Sequence, residues 1–267
     1  VPGSAHTIPT THTGSLPRPD ALIASMWAQG DGVPVDSDAL ARQIDEAVAD
    51  AVRRQVRAGV TVVNDGEMSK PSYATYVQHR LTGFAGESVQ SYHFQDLVEF
   101  PKSVELVQAN PGRRKRSAPA CTGPIQVKDL APATEDAKRL AREATAAEAI
   151  DTFSSAASPG VVSLFFANQR YPSHEAYVFA IAEAMRAEYE AVVDGGATLQ
   201  LDCPDLAMGR HTAYADQDDT TFRKTVGLHI EALNHAVRSI PADRLRMHLC
   251  WGCGASTRTS PGRSSNP

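Results

Sequence analysis

His248 and Cys250 stand two residues apart in the run "RMHLCW" (Arg246 to Trp251). If that run is a strand, side chains at i and i+2 share a face. An imidazole and a thiolate on one face make a natural pair of zinc ligands, although a zinc site needs at least three from the protein. A packed histidine beside a buried thiol is the plainer alternative. Cys250 and Cys253 also fit C-x-x-C. A redox dithiol depends on a helix beginning at its first cysteine, because the helix dipole lowers the thiol pKa. Here the continuation "GASTRTSPGRSSNP" has no apolar period and contains two prolines, which argues against a helix.

Acids stand at the ends of two other apolar runs. "DGE" (Asp65 to Glu67) follows "VTVV", and Asp202 closes "TLQLD". Either acid alone could cap the next helix. Together, at two strand ends, they suit a cationic amine on a small substrate. "HTGS" (His12 to Ser15) offers a glycine turn with free backbone amides and a hydroxyl, a generic cradle for a carboxylate. Tyr73, Tyr76, His79 and His174 read as packing or surface residues.

These groups need a frame, and the apolar periods supply one. In "DSDALARQIDEAVADAVRRQVRAG", Leu40, Ile44, Val48, Val52 and Val56 form one helical stripe, with Asp36 or Ser37 as cap and Gly59 at the exit. "VTVVND" follows as a buried strand. The unit recurs at Val178, Ile181, Met185, Tyr189 and Val192, leading into "TLQLD". It recurs again at Phe222, Val226, Ile230, Leu233 and Val237, leading into "RMHLCW". "ACTGPIQV", "GVVSLFF" and a segment beside "TTHTGS" complete a count of about six strands. Helix, glycine or proline stop, then strand is the rhythm of βα units with a parallel sheet, whose ligands bind at the carboxyl ends of the strands. The polar residues "THTGS", "NDGE", "LDCPD" and "HLCW" gather at just those ends.

Composition narrows the class. At 267 residues the chain can hold one large domain, and a formal charge of −5 gives no reason to expect nucleic acid or an acidic membrane. The basic "GRRKR" (Gly112 to Arg116) lacks interleaved aromatics and reads as a solvated loop. No apolar stretch nears the roughly 18 residues of a membrane span, and the start lacks the features of a secretory signal. Four cysteines do not make a disulfide framework. A cytoplasmic protein is expected.

Taken in order, "THTGSLPRP", "VVNDGE", "CTGP", "LQLDCPDLAMGRH" and "MHLCWG" resemble the cobalamin-independent methionine synthase family, in its short single-barrel form. The resemblance implies a (β/α)8 TIM-type barrel, of which about six of the eight βα units are expected in a domain spanning residues 1–252. It implies an S-methyltransferase that moves a methyl group from 5-methyltetrahydrofolate, or a related donor, to the thiol of homocysteine, giving methionine. By the same resemblance His248 and Cys250 would bind zinc, Glu67 and Asp202 the substrate ammonium, and Thr13, Gly14 and Ser15 its carboxylate end.

The family's further ligands, a glutamate and a cysteine, and its catalytic histidine lie beyond the H-x-C strand. This chain has no acid after Asp243 and no histidine after His248. Residues 253–267 are therefore expected to be an irregular tail from a truncated or frameshifted read, and the chain itself to be inactive, with no catalytic residue assignable. The family's tryptophan for the pterin has no counterpart after "TGPIQVKDLAP" either, where Leu130 is the nearest candidate, so the methyl donor stays open. Two other readings remain. An epoxyalkane–coenzyme M transferase would need cations for a sulfonate where the two acids stand, and a fragment without catalysis would hold no metal.

Overall fold

The computed structural model describes residues 8–86 and 119–251, together with positions 88, 95, 100–102 and 105 between them. The basic run at 112–116, Cys253 and the tail expected at 253–267 lie outside the described residues.

Three helices form where the apolar stripes place them. α2 (Ser37–Arg57) is capped by Asp36, whose carboxylate accepts from the amides of Asp38 and Ala39, and the chain leaves it through Gly59 at φ +79°. It buries Leu40, Val48 and Val52 together with Ala47 and Ala51. α6 (His174–Asp194) begins at Ser173, whose hydroxyl accepts from Ala176 N at 3.1 Å, and buries all five predicted stripe residues. α7 (Asp219–Ala236) begins at Asp218. Its buried face is His229, Ala232, Leu233 and Ala236, while Ile230 is 40% exposed. Steps of four gain about 40° each on a helix of 3.6 residues per turn, so the predicted stripe drifted off the core.

Two further helices carry weaker signals: α1 (Asp20–Gly30), which buries Leu22 and Met26, and α4 (Ala131–Ala146). The short α3 (Val77–Arg80) lies between α2 and α4.

Four strands form one parallel sheet in the order β1 (Val62–Val63), β4 (Asp151–Ala157), β5 (Thr198–Asp202) and β6 (Leu245–His248). β2 (Phe84–Ala85) and β3 (Ala120–Cys121) pair as a separate antiparallel ribbon, so only the start of "ACTGPIQV" is a strand. The segment at "TTHTGS" is not a strand. It runs beside β1, where the Thr10 carbonyl accepts from the amides of Thr61 and Val62.

The expectation for "GVVSLFF" is overturned. Those residues lie mostly in α5 (Pro159–Phe165), and the strand is the preceding "DTFSSAA". Ser158 caps α5 by accepting from Val161 N at 3.1 Å, and Pro159 stands at the first helical turn, where its missing N–H costs nothing. The helix is apolar all round because it is buried, and periodicity alone cannot separate such a run from a strand.

The two faces of the sheet differ in kind. Ala156, Leu199 and Leu201 point to the helices and join Val52, Leu140, Ile181, Met185 and Leu233 in the core. In register on the other face stand Phe153, Ser155 and Ala157, then Thr198, Gln200 and Asp202, then Arg246 and His248. No helix among the described residues is long and apolar enough to cross a membrane.

Candidate functional site

The polar face ends in a cluster of acids. Glu67 follows β1 in a tight turn in which Gly66 and Glu67 both have positive φ, +64° and +57°. A side chain in that region costs on the order of 1 kcal/mol or more. The turn is held by side chains: Asn64 Oδ1 accepts from Gly66 N at 2.8 Å, and Asp65 Oδ1 from Glu67 N at 2.9 Å. Asn64 is fixed in turn by Gln55 of α2, which accepts from its amide and donates to its carbonyl.

The strained turn aims the Glu67 carboxylate across the sheet. Ser155 on β4 donates to its Oε1 at 2.7 Å, and Ser15 donates to its Oε2. Gly14 lies against the same carboxylate, and a Cβ there would stand 2.8 Å from Oε1. Leu16 N donates to Gly66 O at 3.0 Å, and Arg18 donates to the carbonyls of Glu67 and Lys70.

Asp202 closes β5 beside this group. Gln200 Nε2 donates to Asp202 Oδ1 at 2.9 Å and to the Thr13 carbonyl at 2.6 Å. Burial, with the charge of Glu67 added to it, pushes the Asp202 carboxyl up to about 7. Burial also raises Asp65, against the pull of Lys70. Among the described residues neither Glu67 nor Asp202 is within ion-pair distance of a lysine or arginine.

Lys70 is buried nearby and donates to the Ser155 carbonyl, with its ammonium 4.7 Å from the Tyr76 ring centre. β1 stops at Val63, so the edge of β4 past Thr152 has no strand on that side. Lys70 and the Tyr76 hydroxyl, which accepts from Ala157 N at 3.4 Å, take those places.

His248 is the register partner of Asp202, and its carbonyl accepts from Cys203 N at 2.9 Å. Burial first, then the charge of Arg246, lower its pKa below the ordinary histidine value. β6 ends at His248, so Cys250 lies past the strand and not on it as expected. Its carbonyl accepts from Met208 N at 3.2 Å. Among the described residues no three of His, Cys, Asp and Glu are grouped so as to hold a metal. Two candidate ligands fall short of the three a zinc site requires.

The structure thus brings together Thr13, Gly14, Ser15, Glu67 and Asp202, with His248 on the adjoining strand. The sequence reading missed Ser155, Gln200, Lys70 and Arg246. Gln200 and Arg246 were within reach, each being two residues before a chosen one on a recognised strand. Ser155 was not, because its strand was unrecognised. Tyr76 and His174, read as packing or surface residues, make specific polar contacts, with Glu188 and His229 respectively.

No family model matches the chain. Curated relatives do. A methionine synthase of Saccharolobus solfataricus is 26% identical over 92% of this chain and 63% of its own length. One of Sulfolobus acidocaldarius is 24% identical over 92% and 62%. The chain therefore spans a little under two thirds of these relatives. Among solved structures, a B12-independent methionine synthase from Shewanella sp. W3-18-1, in complex with selenomethionine, superposes with a TM-score of 0.63 at 20% identity, covering 91% of this chain and 62% of that one. Over nine-tenths of its length the chain resembles methionine synthases in sequence, and its fold resembles that of B12-independent methionine synthases.

Proposed function

We propose that this chain is the larger part of a (β/α)8 barrel whose polar inner face binds an amino acid bearing a thiol, homocysteine, for methylation to methionine. The observation that carries the reading is the Glu67–Asp202 pair. The two acids stand together, one of them pushed up to about 7. Among the described residues no lysine or arginine comes within ion-pair distance of either, although Lys70 and Arg246 are near enough to pull the Asp202 value down in part. A substrate ammonium would supply the missing charge, donating to both carboxylates and favouring the ionised form of Asp202. A sulfonate, the anionic substrate of the rival transferase reading, would be repelled by the same pair.

In this reading the substrate carboxylate lies on the backbone amides at Thr13 to Ser15. The Ser15 hydroxyl already donates to Glu67, so it serves to fix that acid. Holding both charged groups of the α-carbon orients the side chain that carries the sulfur, and such positioning is a large part of what an enzyme contributes to a two-substrate displacement. The methyl donor is 5-methyltetrahydrofolate or a relative of it.

We assign His248 and Cys250 to zinc as two of its ligands. Because two do not complete a site, no step is routed through the metal. Metal analysis of the purified full chain tests this assignment directly. Zinc that survives a chelator and disappears in His248→Ala and Cys250→Ala supports it, and metal content indifferent to both removes it.

The amino-acid site is tested by calorimetric titration with L-homocysteine and L-methionine. Glu67→Gln and Asp202→Asn should each weaken binding at least tenfold, about the worth of one hydrogen bond to a charged group. Wild-type affinity in both variants would refute the site, and a methyl-transfer assay with several donors then addresses the reaction.

A further inference from the structure

Gln200 is 2% exposed and sits between two acceptors and a donor. Its amide nitrogen faces the Thr13 carbonyl at 2.6 Å and Asp202 Oδ1 at 2.9 Å, while its oxygen accepts from Arg246 Nε at 2.8 Å. Only one orientation of the amide satisfies all three. Flipped, its oxygen would meet two other oxygens and its NH2 would meet a guanidinium, which has donors only.

Arg246 is itself held. Its guanidinium carbon lies 3.6 Å from the centre of the Phe153 ring, and its two terminal nitrogens donate to Thr11 Oγ1 at 3.3 Å and to the His12 carbonyl at 3.2 Å. One planar cation therefore ties β6 to β5 and to the segment 11–13 that leads into Gly14 and Ser15. Lysine, a single flexible point charge, has no equivalent fork.

We infer that Arg246 is a positioning residue for amine recognition: it locks the Gln200 amide, anchored on the Thr13 carbonyl, so that its NH2 holds Asp202 in place for the amine. Arg246 need not touch the ligand to do so. The inference rests on the amino-acid reading of the site, but the lock itself exists without a ligand and can be measured that way.

The experiment uses the full chain with Arg246→Met and Arg246→Lys. In ligand-free protein, NMR exchange of the Gln200 side-chain amide protons with water should quicken at least tenfold in both variants. With ligand, the affinity for L-methionine should fall about tenfold, while that for 4-(methylthio)butanoic acid, which lacks the amine, should change less than twofold. A variant that merely loosened the fold would weaken both ligands alike. Should Arg246→Met fail to fold, Arg246→Lys keeps the cation and decides alone. Unchanged exchange, equal weakening of the two ligands, or full rescue by lysine overturns the inference. If the wild-type chain binds neither ligand, the amino-acid reading fails, and the exchange measurement still decides the lock.

Discussion

Two groups of buried acids meet at Lys70 and Tyr76, and they are treated in opposite ways. On one side, Asp136 and Glu188 are matched by Arg80, at 2.6 and 3.1 Å, and the Tyr76 hydroxyl donates to Glu188. Arg139 adds a bond to Asp136 at 3.0 Å and one to Asp45 at 2.5 Å. Burial would lower the Arg80 pKa, but Glu188 and Asp136 outweigh it and raise the value. On the other side, Glu67 and Asp202 have hydroxyl and amide donors and, among the described residues, no cation within ion-pair distance. The first group ties α3 to α4 and α6, and its charges answer one another within the protein. The second leaves a charge to be answered from outside, which is how a binding site differs from a brace.

Breaking the brace should have the largest effect. Arg80→Met leaves Asp136 and Glu188 buried without their cation, and removing one partner of a buried pair costs about 3–5 kcal/mol. Urea unfolding should read a loss of that size. A loss under about 1 kcal/mol would mean that the acids find water or protons easily, and the contrast between the two groups would dissolve.

Next in size is the cost of the unanswered pair. The Asp202 carboxyl is raised to about 7. Between its unfolded value near 4 and that figure, the folded chain holds a proton that the unfolded chain has lost. Stability must therefore fall as pH rises through this window and level off above it. The drop should be on the order of 2–4 kcal/mol, from a shift of about three units at 1.36 kcal/mol each, less what relaxation recovers. Asp202→Asn should remove that fall and make the chain more stable than wild type at pH 8, while weakening the amino acid. A stabilised fold with a lost ligand is the signature of a site. If Asp202→Asn destabilises at pH 8, its charge is serving the fold.

How much of this could be read from the chain follows the same division. The helices α2 and α6 and the strands β5 and β6 were legible from large apolar side chains repeated at their own period. α7 was legible as a helix, though its stripe drifts off the buried face. Glu67 and Asp202 stood out as acids at apolar ends. β4 was hidden: "DTFSSAA" has little β-propensity, and its place in the sheet comes from pairing along one whole side with β5. α4 was hidden because its buried face is Ala133, Asp136, Ala137, Leu140 and Ala144, four small or charged residues out of five. Asp136 looks like a surface residue until Arg80, 56 positions earlier, arrives to pair with it. The brace was therefore illegible in principle, since its meaning lies in contacts between distant segments. The site was half legible, since strand ends are local features. Ser155 and the strained turn at Glu67 were its tertiary half.

A third acid falls between the two groups and gives the smallest effect. Asp205 accepts from Ser158 at 2.7 Å and is joined to His229 Nδ1 at 2.9 Å, and His229 Nε2 meets His174 Nε2 at 2.8 Å. With His229 donating to the carboxylate through Nδ1 alone, its Nε2 accepts and His174 donates through Nε2. Gly160 packs tightly here, and a Cβ on it would fall 2.0 Å from Asp205 Oδ2. In this arrangement a second proton on His229 would sit at Nε2 and set two donors face to face, whereas one on His174 would sit at Nδ1, away from the contact. Burial first, then the electrostatic effect of His229, depress His174 to about 4. The unfolded histidine takes its proton near 6.5, so below that pH the unfolded chain binds more protons than the folded one. Stability should fall as pH drops from about 6.5 to 4, the reverse of the Asp202 slope. The ring is partly exposed, which discounts the effect to on the order of 1 kcal/mol. Thermal midpoints of wild type and His174→Gln at pH 5 and 7.5, each in the Asp202→Asn background to remove the opposing slope, separate the two. The pH 5 deficit should vanish with His174. A deficit that survives the substitution would show that Asp205 is neutralised by some other route, and that this acid belongs with the brace.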